Sequence, residues 1–117
     1  MSIIAKENIS LKPYTVFKIG GPARFFVEAR SQEDLREALE FAKTKGLPFF
    51  IAGAGSNILV SDKGFNGMVI RWKGGAVNVS GDEVTAEAPV AMARVVTQAA
   101  NAGLCGFEWG IGIPGTI

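Results

Sequence analysis

The sequence predicts an α+β fold, and three observations carry that reading. A strand, helix, strand pattern runs from Arg24 to Ile51; short β-rich runs separated by glycine turns follow it; a second amphipathic helix then precedes a glycine-rich end. Ahead of these, Asn8 to Pro22 contains Pro13, Tyr14, Thr15 and Gly20-Gly21-Pro22, the composition of an extended arm closed by a turn.

Arg24 to Arg30 is the first predicted strand. Ser31 then offers a hydroxyl cap, with Glu33 and Asp34 placing acids in the first helical turn, where the helix dipole favours them. Leu35, Ala38, Leu39 and Ala42 stand at helical spacing, Gly46 provides a left-handed exit and Pro48 prevents continuation. Phe49, Phe50 and Ile51 form a fully apolar second strand. A βαβ unit of this kind puts whatever follows the second strand at the carboxyl edge of the sheet, where open α/β sheets bind ligands.

Beyond residue 60 the pattern changes. Gly67–Trp72, Ala76–Ser80 and Val84–Ala88 are short strands parted by Lys73-Gly74-Gly75 and Gly81-Asp82-Glu83, and they are expected to be antiparallel. Pro89 introduces a helix with Met92, Val95, Val96, Ala99 and Ala100 on one face and Gly103 at its end. The expected division is a βαβ lobe with its arm over 1–60 and a partial second lobe over 61–117, meeting near Ser61–Asn66. Leu104 to Ile117 is too apolar for a solvated tail, with Trp109, Ile111, Ile113 and Ile117 in it, and is expected to be a C-terminally truncated segment that promotes self-association.

Composition narrows the chemistry. The chain has 117 residues, 48% of them hydrophobic, enough for one small domain with a core. Twelve basic and eleven acidic residues are mixed along it, which leaves no footprint for nucleic acid or an anionic membrane. Cys105 is the sole cysteine and histidine is absent, so internal disulfides, most zinc sites and histidine-dependent catalysis are excluded. Cys105 follows the second helix in an apolar setting and is expected to pack rather than react. No apolar run reaches the roughly 18 residues of a membrane span, and the expected compartment is the cytoplasm.

The candidate site is Gly53-Ala54-Gly55-Ser56-Asn57-Ile58, directly after the second strand. Two glycines around Ala54 let the backbone come close to a ligand and gather several N–H groups on one anion, with Ser56 and Asn57 adding side-chain polar groups. A dinucleotide fingerprint needs a third glycine where Ile58 stands, and a helix where Ser61-Asp62-Lys63-Gly64 makes a turn. A phosphate here would be held by a backbone nest rather than a helix N-terminus. A larger side chain at Gly55 is expected to block ligand approach.

Three segments together resemble one family. They are Tyr14-Thr15-Val16-Phe17-Lys18-Ile19-Gly20-Gly21, the stretch from Gly53 to Gly64, and Gly106-Phe107-Glu108-Trp109-Gly110-Ile111-Gly112-Ile113-Pro114-Gly115-Thr116-Ile117. In that order they are similar to the N-terminal FAD-binding region of the MurB family, the UDP-N-acetylenolpyruvoylglucosamine reductases of bacterial peptidoglycan synthesis. The resemblance implies a vanillyl-alcohol-oxidase/PCMH-type FAD-binding domain in which two lobes clamp FAD. It implies cofactor binding by Gly53, Ala54, Gly55, Ser56, Asn57 and Ile58, and by Gly110, Gly112, Ile113, Gly115 and Thr116, with Tyr14 and Thr15 as weaker candidates.

The reaction implied uses NADPH as hydride donor to FAD and an enolpyruvyl UDP-sugar as acceptor. The arginine, serine and glutamate that serve it in the family lie downstream, so no catalytic residue maps onto this chain and the chain alone is expected to be inactive. Arg24, Arg30, Arg71 and Arg94 fall outside the matching motifs and are expected to be solvated or structural. Glu108 is expected to make turn hydrogen bonds. Two other readings remain: the cofactor lobe of a different FAD-dependent oxidase, and a non-catalytic nucleotide-binding or assembly module.

Overall fold

The computed structural model describes residues 3–117 and divides into two compact units, 1–73 and 74–117. In the first, β1 (Lys6–Ser10), β2 (Pro22–Ala29), β3 (Phe49–Ala52) and β4 (Phe65–Trp72) form one sheet in the order β1-β2-β4-β3. β1 is antiparallel to β2, whereas β2, β4 and β3 run parallel. Helix α1 (Gln32–Thr44) connects β2 to β3, and a single 3-10 turn at Lys12–Tyr14 lies between β1 and β2.

Helix α1 forms where its sequence signals place it. The Ser31 hydroxyl accepts from the Asp34 N–H at 3.1 Å, and the Asp34 carboxylate accepts from the Arg30 N–H at 2.9 Å, so both sides of the helix start are satisfied. Ala38 and Ala42 are fully buried, and Leu35 and Leu39 pack at the margin of the same cluster with Phe25, Val27, Met68 and Ile70. The opposite face of the sheet carries Ala23, Phe26, Ala52 and Val69, and is covered by Leu11 together with Tyr14, Ile58 and Val60. The sheet is thus buried on both sides, by a helix on one and by irregular chain on the other.

Several expectations change here. The run Gly67–Trp72, expected as an antiparallel strand of a second lobe, is instead the central parallel strand of the first sheet. Its continuous Met68-Val69-Ile70 core is the pattern of a strand covered on both faces, and its partners come from far upstream. The unit boundary consequently falls between Lys73 and Gly74 rather than near Ser61–Asn66. Likewise, β2 and β3 belong to one sheet as a βαβ unit should, but β4 sits between them. The expected arm begins with a true strand, since Lys6–Ser10 pairs with β2. β3 is the sheet's edge, and Phe49, Phe50 and Ile51 remain about half exposed despite their apolar character.

In the second unit, β5 (Val77–Ser80) and β6 (Glu83–Ala86) make an antiparallel hairpin closed by Gly81-Asp82, with Gly81 at φ 60° as a two-residue turn requires. Helix α2 (Met92–Asn101) buries Val95, Val96 and Ala99; Ala100 is exposed. No side chain caps α2. The Gly115 carbonyl does so, accepting from the Met92 N–H at 3.0 Å, while the Ile117 N–H donates to the Val90 carbonyl at 3.0 Å. The terminal segment is therefore pinned to the start of α2, with Thr116 bridged to Ala91. Arg94 donates to the Gly75 carbonyl at 3.2 Å, a structural role as expected. Among the described residues, no helix is long and apolar enough to cross a membrane.

Candidate functional site

The stretch from Gly53 leaves the carboxyl end of β3 and is fixed by the arm at two points. The Val16 N–H donates to the Gly55 carbonyl at 3.0 Å, and the Gly21 N–H donates to the Ser61 carbonyl at 2.8 Å. Thr15 holds the intervening arm: its buried hydroxyl donates to the Ile19 carbonyl at 3.1 Å and accepts from the Ile19 N–H at 3.3 Å. Gly21 and Gly64 meet backbone to backbone, since an added Cβ on Gly21 would strike the Asp62 carbonyl and one on Gly64 the Pro22 carbonyl. These contacts explain why small residues crowd both segments.

Gly55 has φ 76°, and its missing Cβ would collide with the Tyr14 carbonyl. The glycine is thus required by the protein's own arm. This corrects the expectation that bulk at Gly55 would act by blocking a ligand: it would displace the loop first.

Beside this loop a cavity of about 470 Å³ opens. Its walls are mainly apolar, from Leu11, Phe26, Phe50, Ile58 and Val69, and Gly53 and Asn57 stand on its loop side. Tyr14 stacks on Phe26 with ring centroids 4.5 Å apart and lines the cavity, and Thr15 lines it too. Among the described residues, the N–H groups of Ala54 through Ile58 donate to no other group. Asn57 is exposed and Ser56 half-buried, and neither side chain has a protein hydrogen-bond partner among those residues. A run of free backbone donors in a loop whose Gly53, Asn57 and Ile58 line an apolar cavity suits an anionic group attached to a flat, apolar ring system.

One charged lining residue escaped the sequence reading. Arg71, expected to be solvated or structural, projects into this cavity from β4. The available signal was alternation: Val69 and Arg71 share one strand face, and Phe26 and Glu28 share the matching face of the neighbouring strand.

The other predicted residues lie in the second unit. Gly110 is buried, and an added Cβ there would come within 2.8 Å of Val96 Cγ2, so packing explains it. Gly115 and Thr116 belong to the pairing that starts α2. Ile113 is exposed and donates its N–H to the Gly110 carbonyl at 3.3 Å. Gly112 has φ 81° with open space around it. Glu108 accepts from the Gly106 N–H at 2.9 Å, the expected turn role. Cys105 is exposed, contrary to the packing expected of it.

A model of the FAD binding domain matches residues 23–117. The chain belongs to the FAD-binding domain family. The free amides and apolar cavity of its first unit are consistent with that cofactor. The domain is 37% identical, over 97% of its length, to a UDP-N-acetylenolpyruvoylglucosamine reductase of Synechococcus sp. (strain WH7803), and covers 38% of that protein. It is 40% identical over 96% of its length to the reductase of that name from Clostridium novyi (strain NT), covering 37% of it. The crystal structure of UDP-N-acetylenolpyruvylglucosamine reductase (MurB) from Thermus caldophilus superposes with a TM-score of 0.72 at 31% identity, over 97% of this chain and 39% of that one. The chain therefore spans about two-fifths of the length of these relatives.

Proposed function

We propose that this domain is the FAD-binding part of a reductase that converts UDP-N-acetylenolpyruvoylglucosamine to UDP-N-acetylmuramate with NADPH, in cytoplasmic peptidoglycan synthesis that serves cell-wall growth, cell shape and division. The observation that carries the cofactor half is the row of undonated N–H groups from Ala54 to Ile58 beside the 470 Å³ cavity. The substrate half rests on the names of relatives aligned along nearly the whole chain.

The residues have distinct tasks in this reading. Gly53, Ala54, Ser56, Asn57 and Ile58 hold the pyrophosphate, mostly through backbone, while Gly55 sets the loop's path under the arm. Cofactor contacts by Gly110, Gly112, Ile113, Gly115 and Thr116 are carried over from the family motif. When bound, FAD would supply the redox chemistry that relays hydride between NADPH and the enol ether. The chain's own part is to bind and orient the cofactor. The apolar exposure of Trp109 and Ile111 supports self-association of the isolated chain.

Titration of the purified chain with FAD, followed by flavin fluorescence, tests this directly. Saturable binding that weakens in Asn57→Ala is expected. A folded chain that leaves FAD fluorescence unchanged at all concentrations would sink the cofactor reading. Full-length protein that oxidises NADPH without reducing the enolpyruvyl UDP-sugar would sink the substrate reading alone.

A further inference from the structure

Among the described residues, Arg71 is the only charged one that lines the cavity, and it is ion-paired there without being hydrogen-bonded. Its side chain is 25% exposed, and the guanidinium lies 4.9 Å from the centroid of the Tyr14 ring. Glu28, its cross-strand neighbour, stands 3.6 Å away, too far for a hydrogen bond. That carboxylate also faces Arg30 at 3.4 Å and Lys73 at 3.8 Å. One anion shared among three cations leaves the cluster positive. Among the described residues, the Arg71 guanidinium makes no hydrogen bond, whereas Arg30 donates to the Glu28 carboxylate at 3.4 Å.

An arginine kept only for stability would be expected to use its fork on a carboxylate or on carbonyl groups. Here the strand carries the stem, the guanidinium lies over the Tyr14 ring, and the ion pair with Glu28 leaves its hydrogen-bond donors open. In the β3–β4 ladder Arg71 is paired with Ala52, whose next residue is Gly53. The guanidinium and the free amides therefore belong to the same edge of the same sheet.

We propose that Arg71 is a phosphate-binding residue of this cavity, its planar fork taking an oxyanion of the cofactor's pyrophosphate alongside the amides of Ala54–Ile58. The proposal rests on the FAD reading above. Tyr14 and Glu28 act as positioning residues: one fixes the plane of the guanidinium, and the other holds its charge at the sheet edge without saturating it.

The test compares FAD with riboflavin, which has the same ring system and no phosphate, on the wild-type chain, Arg71→Met and Arg71→Lys. Each is titrated by fluorescence at several salt concentrations, with a thermal melt to establish folding. Arg71→Met should weaken FAD about ten- to a hundredfold, flatten its salt dependence and leave riboflavin within about twofold, and Arg71→Lys should recover part of the loss because the charge remains without the fork. Equal loss of both ligands in Arg71→Met would overturn the proposal, showing that the residue only shapes the cavity, as would unchanged FAD affinity in the folded variant. Failure of the wild-type chain to bind FAD would remove the underlying reading and the proposal with it.

Discussion

The Val16 amide reaches the Gly55 carbonyl at 3.0 Å, and the Tyr14 carbonyl occupies the space where a Gly55 side chain would begin. Arm and loop are therefore built as one object. Gly55→Ala combines a left-handed backbone with a backbone collision, and should destabilise the first unit by about 2 kcal/mol or more. Urea unfolding would reveal it as a lower midpoint at an unchanged slope. Full stability in the variant would mean that the arm does not lie on the loop.

Gly112 provides the contrasting case. Its φ of 81° makes alanine strained, but nothing crowds the position. Gly112→Ala should cost about 1 kcal/mol in stability. If the residue approaches the cofactor closely, FAD affinity should fall by clearly more than the stability loss accounts for. Retained affinity would place Gly112 outside the binding site.

Met68 is completely buried in the central strand. Met68→Ala leaves a cavity between the sheet and α1 and should cost about 2–5 kcal/mol. A thermal melt that barely moves would contradict the central position of β4.

Ser31→Ala removes the acceptor for the Asp34 amide and should cost about 1 kcal/mol. The variant's helix content near the melting transition, followed by circular dichroism, would show the loss. Serine's replacement by aspartate should restore it, because a carboxylate can cap the same amide.

Cys105 lies exposed, so a thiol reagent should modify it in the native protein at nearly the rate seen in denaturant. Strong native protection would mean that another surface covers it, with self-association as one cause. Sedimentation at several concentrations separates the two, and Trp109→Ser, which removes an indole that is 65% exposed, should shift the distribution toward monomer.

Local signals in the sequence were the reliable ones. Ser31, Asp34 and the spacing of Leu35, Ala38, Leu39 and Ala42 define α1 because capping and helical periodicity act within a few residues. The position of β4 depends on which distant strands it joins, and Met68-Val69-Ile70 looks the same in either lobe. The Gly53–Ile58 stretch was legible as a glycine-rich loop leaving a strand. The reason for Gly55 was not, because its partner, Tyr14, comes from the arm. Arg71 was missed for the same cause: a lone arginine in a β-run acquires meaning only when Tyr14 and Gly53 are brought to its side.

The insertion of β4 between β2 and β3 also sets an order of events for the chain. Until residues 65–72 are available, β2 and β3 have no shared ladder, and α1 can cover only an unfinished surface. Sheet closure thus waits on a late, long-range step, which makes loop-closure entropy a larger part of the barrier than helix formation. Substitutions at Val69 or Ile70 should slow refolding, whereas those on the exposed side of α1 should act mainly on unfolding.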